Sequence, residues 1–276
     1  MKRKWLKILA GVLGVVILLG LAVFANALVG NPVSKALARR SANRLLAEEH
    51  AGSDYVIEDV GYNFKTGGYW IHLESPSSPD GAFSVYTDGL GRYSFDTYEY
   101  MVLRHGNTAR RLDAAYRAAG DSVLDSPGFP FKTDVDFTEL MYGEREEYPY
   151  ALPLEELEQD KEYDIGALGA RAGRLVIYFM DEDVSPERLS EMLAETKRRM
   201  DAAGVSFRMV DAVLRRPKPE DGSPWDEEQI NVLDFPAEEL DAPDLAERIA
   251  AADAAAKAYY AKLDEENEKL FSEAGG

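Results

Sequence analysis

From Ile8 to Ala25 the chain carries no charged or strongly polar side chain, and apolar character extends from Trp5 to about Val29. A helix rising ~1.5 Å per residue needs about 20 such residues to cross the hydrocarbon core of a bilayer. The segment therefore predicts one transmembrane helix, and everything after it must fold outside the lipid. Lys2, Arg3 and Lys4 precede the run, which keeps that end in the cytoplasm. Trp5 then falls at the headgroup level, and Gly30-Asn31-Pro32 ends the span as a turn in the outer interface. The expected localisation is the cell membrane, single-pass, with the N-terminus cytoplasmic and the bulk extracytoplasmic. A cleaved signal peptide is the rival, because Ala25-Asn26-Ala27 has the small-x-small pattern of a cleavage site. The apolar run is longer than the roughly 7 to 15 residues of a signal's central region. Under either reading the remainder is exported.

The charge changes sign at the same boundary. The chain has 31 basic and 50 acidic residues, and residues 1–30 hold Lys2, Arg3, Lys4 and Lys7 with no acid, so +4 precedes residue 31 and −23 follows it. A surface this acidic repels phosphate backbones and anionic lipid headgroups, which argues against nucleic acid and for a basic protein or peptide partner in the envelope. Cysteine is absent, which excludes disulfides, thiolate catalysis, zinc-thiolate sites and a lipidated cysteine anchor.

The exported part is long enough for two domains of ordinary size. Residues Val33 to Glu49 show helical spacing in Leu37, Ala38, Ala42, Leu45 and Leu46, with Lys35, Arg39, Arg40 and Arg44 on other faces. Those cations lie within reach of outer headgroups, or are ordinary solvated helix charges. Tyr55 to Lys65 and Tyr69 to Ser75 flank Thr66-Gly67-Gly68 and predict a hairpin, with a bulge near Gly61 because Ile57 and the pair Tyr62 and Phe64 differ in parity. Ser75 to Gly81 is expected as a loop, and Ala82 to Thr87 as a third strand. Asp96 to Ala119 predicts a helix interrupted at Gly106-Asn107 and ended by Gly120.

Ser126-Pro127-Gly128-Phe129-Pro130 marks the expected domain boundary. Phe131 to Glu139 alternates like a strand, whereas Glu144 to Asp164 is acidic, broken by proline and fits no element. Arg174 to Asp181 predicts a buried strand. Ser185-Pro186-Glu187 opens a helix with Leu189, Met192, Leu193 and Met200 as its inner stripe, Gly204 ends it, and Val205 to Leu214 returns as a strand. Pro217 to Glu228 is a charged loop, Gln229 to Phe235 a strand, and Asp241 to Ser272 a long alanine-rich helix. The fold class is thus α+β: one transmembrane helix, then two small units of antiparallel or mixed sheet packed on helices. The divisions are residues 1–30, 31–127 and 128–276.

Local chemical signatures are missing. His50, His72 and His105 stand in no H-E-x-x-H, and no G-x-S-x-G, S-x-x-K or phosphate-cradling G-x-x-x-x-G-K-[ST] occurs. A triad assembled in space, for instance His72 with Ser75 or Ser77 and an acid, stays open. Asp181-Glu182-Asp183 and Asp226, Glu227 and Glu228 are carboxylate runs of the kind a hard cation uses. Adjacent carboxylates usually diverge, however, and helix-dipole complementarity explains Asp183 and Glu187. Tyr62, Phe64, Tyr69 and Trp70, with Tyr93, Tyr98 and Tyr100, form an aromatic set that suits either a ligand groove or the face between sheet and helices. The residues assign no catalytic, cofactor-binding or metal site, and no cofactor.

Gly30-Asn31-Pro32-Val33-Ser34, Asp59-Val60-Gly61-Tyr62-Asn63-Phe64-Lys65-Thr66-Gly67-Gly68-Tyr69 and Glu74-Ser75-Pro76-Ser77-Ser78 together resemble the YfjL-like family of membrane-anchored bacterial proteins. The resemblance is clearest over residues 5–120. Its helix-then-hairpin unit is also similar in outline to PepSY-type domains. It implies an N-terminal and a C-terminal unit behind one anchor and supplies no catalytic residues. The expected function is a non-catalytic binding, sensing or inhibitory module at the envelope. The alternatives are an envelope hydrolase or its accessory subunit, and a calcium-stabilised surface domain.

Overall fold

The computed structural model describes residues 2–144, 148–219 and 228–274. The fold is α+β: an N-terminal apolar helix, α1 (Lys2–Val29), and two four-stranded sheets, one antiparallel and one mixed, packed on helices. The chain divides into two compact units, one running to Thr108 and adding Glu158–Asp160, the other comprising the remainder from Ala109.

In the first unit Gly30 (φ +71) ends α1, and Asn31 caps α2 (Pro32–Glu49) by accepting from Ser34 N at 2.8 Å. Proline at the first helical position loses no hydrogen bond there. Ala38, Ala42 and Leu45 form one buried stripe on α2, the i, i+4, i+7 spacing that places side chains on a single face. The two alanines let the helix lie close to Val60, Tyr69, Ile71, Leu73, Phe83 and Val85.

Those core residues come from a meander in the order β1 (Val56–Asn63), β2 (Gly68–Ser75), β3 (Ser78–Thr87) and β4 (Tyr93–Asp96). The expected bulge is present but lies at Glu58, where the register steps from Ile57↔Leu73 to Asp59↔His72. It restores Ile57, Val60 and Tyr62 to one face. Gly61 instead serves the packing of the strand's other face: a Cβ there would stand 2.2 Å from Trp70 Cε2, so the glycine makes room for the indole crossing it. The turn between β2 and β3 is only Pro76-Ser77: β3 starts at Ser78, paired with Ser75, and residues 79–82 bulge opposite Glu74 before pairing resumes at Leu73↔Phe83, where a loop was expected up to Gly81. Asp160 holds that stretch by accepting from Asp80 N at 3.0 Å and from Ser78 Oγ at 2.8 Å.

The interrupted helix resolves into a π-helical turn (Glu99–Leu103), a break at His105 (φ 58), and α3 (Gly106–Leu124). From Ala109 on, helix α3 belongs to the second unit. Its Ala109, Leu112, Tyr116, Val123 and Leu124 join the second core. Gly120 does not stop this helix. It lies inside it, where a Cβ would be 2.4 Å from Thr138 Oγ1.

The second sheet has the order β5 (Lys132–Leu140), β6 (Gly173–Met180), β7 (Met209–Arg215) and β8 (Gln229–Pro236). The β6 and β7 strands are parallel, joined through α5 (Pro186–Ala202), and both outer pairs are antiparallel. Ser185 caps α5 as expected, accepting from Arg188 N at 3.2 Å, and Leu189, Met192, Leu193 and Met200 are buried. A short helix that the sequence pattern conceals, α4 (Ile165–Ala172), starts at Asp164, which accepts from Ala167 N at 3.0 Å. Its glycines lower helix propensity but allow close approach: a Cβ on Gly169 would meet Ser206 O at 2.1 Å. A 3-10 turn (Ala237–Asp241) precedes α6 (Leu245–Ala274), so the terminal helix begins beyond Pro243.

Candidate functional site

The point where α1 joins the first sheet is locked by two tyrosines. Tyr62 Oη donates to Ala27 O at 3.0 Å, and Tyr69 Oη accepts from Asn31 N at 2.9 Å while donating to Asn31 O at 3.1 Å. Gly30 has no room for a side chain, since its Cβ would fall 2.4 Å from Tyr69 Oη and 2.9 Å from the Tyr62 ring. These bonds fix the end of α1 beside the β1–β2 turn.

At that same end of the sheet, a cleft of about 280 Å³ is lined by Asn63, Thr66, Gly68, Tyr86, Thr87 and Phe95 among others. Tyr86 and Phe95 stack at 4.4 Å, nearly parallel, on the sheet face opposite α2. Thr87 Oγ1 is buried there with no hydrogen-bond partner, which is uncommon because buried polar atoms are nearly always satisfied. A second cleft, about 430 Å³, runs between α2 and β4, lined by Arg44, Glu48, Glu49, Arg92 and Tyr93 among others. Burial pushes the Tyr93 hydroxyl up from its ordinary value, and the hydrogen bond to Asp96 adds to the rise.

The structure gives His72 a serine and a carboxylate, though not the serines considered from sequence. His72 Nδ1 lies 3.3 Å from Ser84 Oγ and Nε2 lies 3.2 Å from Glu74. Ser75 and Ser77 instead hold Asp54: Ser75 Oγ donates to it at 2.7 Å and Ser77 N at 2.9 Å. These bonds lower the Asp54 carboxyl from its ordinary value. A nucleophilic serine needs backbone donors aimed at a developing oxyanion. Ser84 sits mid-strand with its own N donating to Thr97 Oγ1 and its carbonyl accepting from Thr97 N. Its imidazole neighbour is 35% exposed and Glu74 50%, so nothing there excludes water. His50 lies elsewhere, at the end of α2 with its ring 4.4 Å from Tyr98 and 5.3 Å from Phe83.

Among the described residues no group of three or more histidines and carboxylates is placed to hold a metal ion. Asp181 is occupied by Arg188, whose Nε and Nη2 donate at 3.0 and 2.8 Å, and by Asp183 N at 3.0 Å. Asp226 and Glu227 lie outside the described residues, and Glu228 is 3.6 Å from Arg216.

Two polar clusters had no sequence signal. In the first unit Asp80, 1% exposed, accepts from Thr108 Oγ1 at 2.8 Å and from Asp160 N at 2.9 Å. The pairing with Asp160 spans 80 positions, beyond the reach of any local pattern. In the second unit Arg174 on β6 bonds Asp211 on β7 (3.2 Å), Asp234 on β8 (2.5 Å) and the Tyr150 hydroxyl. Burial raises the Asp211 carboxyl, opposed by the Asp234 N–H and Arg174. Burial likewise raises Glu139, directly across from Arg174 on β5. The network ties β6, β7 and β8 on one face, with Glu139 of β5 beside Arg174, and leaves Arg174 Nε buried without a hydrogen-bond partner.

The aromatic set read from sequence is dispersed. Tyr62 and Tyr69 lock α1, Tyr98 packs with His50, Tyr55 and Phe83, and Trp70 lies on the opposite sheet face in register with Tyr86. Phe64, Tyr93 and Tyr100 are exposed. Strand alternation from Trp70 across to Tyr86 and Phe95 is the signal that would have picked out the second aromatic face.

No curated protein matches the chain. A solved DUF5037 family protein from Ruminococcus gnavus aligns at 12% identity over 65% of this chain and 74% of that chain, with a TM-score of 0.20, a likeness too low to carry an argument. No match supports the outline similarity to PepSY-type domains. The YfjL-like N-terminal domain model matches residues 3–92 and the YfjL-like C-terminal domain model matches residues 119–250, taking in β1 to β3 with α2 and all four strands of the second sheet with α4 and α5, and the chain belongs to the YfjL-like family.

Proposed function

We propose that this protein is a single-pass, membrane-anchored extracytoplasmic module that binds, senses or inhibits an envelope partner without catalysing a reaction. The observation that carries the reading is α1: its apolar side chains from Leu9 to Val29 are exposed on every face wherever they are described. A helix that is hydrophobic all round needs an apolar surrounding, and its length suits a bilayer. The basic residues before it favour a cytoplasmic N-terminus and so export of the bulk. The acidic surface favours a basic protein or peptide partner. The hydrolase alternative has one observation behind it, the Ser84, His72 and Glu74 row, and the engaged Ser84 backbone and open solvent access weigh against that row.

The cysteine-free chain permits single-site labelling. In intact cells an impermeant maleimide should label Glu265→Cys and reach Lys4→Cys only after lysis, with the protein retained in the membrane pellet at alkaline pH. Reversed labelling would overturn the orientation, and recovery in the medium with an N-terminus near residue 28 would show a cleaved leader.

A further inference from the structure

We infer that the β1–β2 turn around Phe64 and Lys65 and the β3–β4 turn around Leu90 are seated in the headgroup layer of an anionic bilayer, so that the first unit rests on the membrane and is not merely tethered to it. The inference rests on the anchoring reading of α1 proposed above.

The geometry begins with the tyrosine lock. Tyr62 Oη reaches the carbonyl of Ala27, one turn inside the end of α1, and Tyr69 holds Asn31. Tyr62 is the penultimate residue of β1, so the turn that follows it, Phe64 to Gly67, continues at the level of the last turn of the span. The neighbouring turn lies at the same end of the sheet, since Tyr69 pairs with Thr87 and Gly91 abuts Leu37 in the first half of α2. The opposite end carries His50 against Phe83, and Glu74 and Ser75 stand six to seven residues up β2, about 20 Å away at strand rise.

The side chains at the near end suit an interface. Phe64 is 60% exposed and Leu90 64%, each at the tip of a turn where nothing in the fold calls for a large apolar group. Charge points to the same occupant. Over residues 31–40, 63–68 and 88–92 the bases are Lys35, Arg39, Arg40, Lys65 and Arg92, and the single acid is Asp88, which is bonded to Arg92. The rest of the exported chain is strongly acidic. Near an anionic surface the cationic end is attracted and the remainder repelled, within a Debye length of about 8 to 10 Å. Apolar tips flanked by lysine and arginine are the pattern of interfacial anchors.

The full chain is reconstituted in vesicles of phosphatidylcholine and phosphatidylglycerol as four single-cysteine variants, Val16→Cys, Phe64→Cys, Leu90→Cys and Glu74→Cys, each bearing an environment-sensitive fluorophore. Nitroxide-bearing lipids should quench the probes at positions 16, 64 and 90 at least several-fold more than the probe at 74. Quenching at 64 and 90 should weaken in vesicles of phosphatidylcholine alone. If 64 and 90 behave like 74 while 16 is quenched, the seating is refuted and the anchor stands. If 16 is also in water, the anchor reading itself fails. Quenching at 64 and 90 that does not depend on the anionic lipid overturns the choice of occupant.

Discussion

Replacing Gly120 by alanine separates two accounts of why the glycine is there. If it served only as a helix signal, Gly120→Ala inside α3 would stabilise by about 1 kcal/mol through helix propensity. The structure sets a larger opposing effect. The new Cβ would lie 2.4 Å from Thr138 Oγ1, 2.7 Å from Cγ2 and 3.1 Å from Cβ, against an ordinary carbon separation of roughly 3.5 to 4 Å. Thr138 has little freedom to yield: it is β-branched, fully buried, and donates to Tyr116 O at 3.0 Å. Overpacking of this kind costs about 1 to 3 kcal/mol, so the net effect is a destabilisation of up to about 2 kcal/mol. In a Thr138→Ala background the two closest atoms are gone, and Gly120→Ala should recover most of its propensity gain. The cycle therefore predicts a coupling of about 1 to 3 kcal/mol. Hydrogen exchange resolved by peptide, followed on α3 and β5, reads the second unit by itself. An equal stabilisation of about 1 kcal/mol in both backgrounds would refute the packing argument.

Three further outcomes follow from side-chain networks. Arg198 and Arg199 hold the Glu195 carboxyl at about 2, below its usual 4.5; a depressed folded value contributes stability above the unfolded value and loses it as pH falls through about 2, so the melting deficit of Glu195→Gln should be present at neutral pH and vanish toward that value, and a deficit independent of pH would count against it. Arg174→Met should cost about 3 kcal/mol at neutral pH by stranding Asp211. Because burial already raises Asp211 and Glu139, the variant should regain stability as pH falls through their folded values, and a cost that is flat in pH would contradict the assignment. Asp80→Ala leaves the Thr108 hydroxyl and Asp160 N–H without their acceptor, for about 2 to 4 kcal/mol; faster exchange at the Asp160 amide is the readout, and an unchanged rate would show that the pairing is idle.

The elements with the strongest local pattern were legible in sequence: the long apolar N-terminal helix, the stripe of α5 with its serine cap, and the hairpin around Gly67. Helix α4 was hidden because Gly166 and Gly169 are placed for close contact with Gly204 and Ser206, and propensity weighs glycine against helix regardless of what it packs on. The stop assigned to Gly120 failed for the same reason. The affiliation of α3 with the second core was invisible because its stripe fits any apolar face, and distant partners decide it: Tyr116 reaches Ser206 O, 90 positions away, and Thr138 Oγ1 and Leu140 N bond Tyr116 O and Asp113. The polar clusters are the least legible feature: Asp80 with Asp160, and Arg174 with Asp211 and Asp234, join residues whose spacing follows strand order and not helical or strand period.

The junction at Gly30 shows why a left-handed glycine is not by itself a swivel. Glycine at φ +71 between two helices has the conformational freedom to act as a hinge. Here the space around it is filled by the Tyr62 ring and the Tyr69 hydroxyl, and both backbone groups of the next residue are bonded to that same hydroxyl. Rotation about Gly30 would break two hydrogen bonds to Asn31 and the one to Ala27 together, leaving a half-buried donor and acceptor unpaired. The glycine therefore supplies a change of direction that only it can adopt, while the tyrosines remove the motion that glycine would otherwise allow. A sheet held in this way to the end of an apolar helix has a fixed face toward whatever surrounds that helix. That constraint is why the chemistry of two exposed turn tips bears on what the whole unit does.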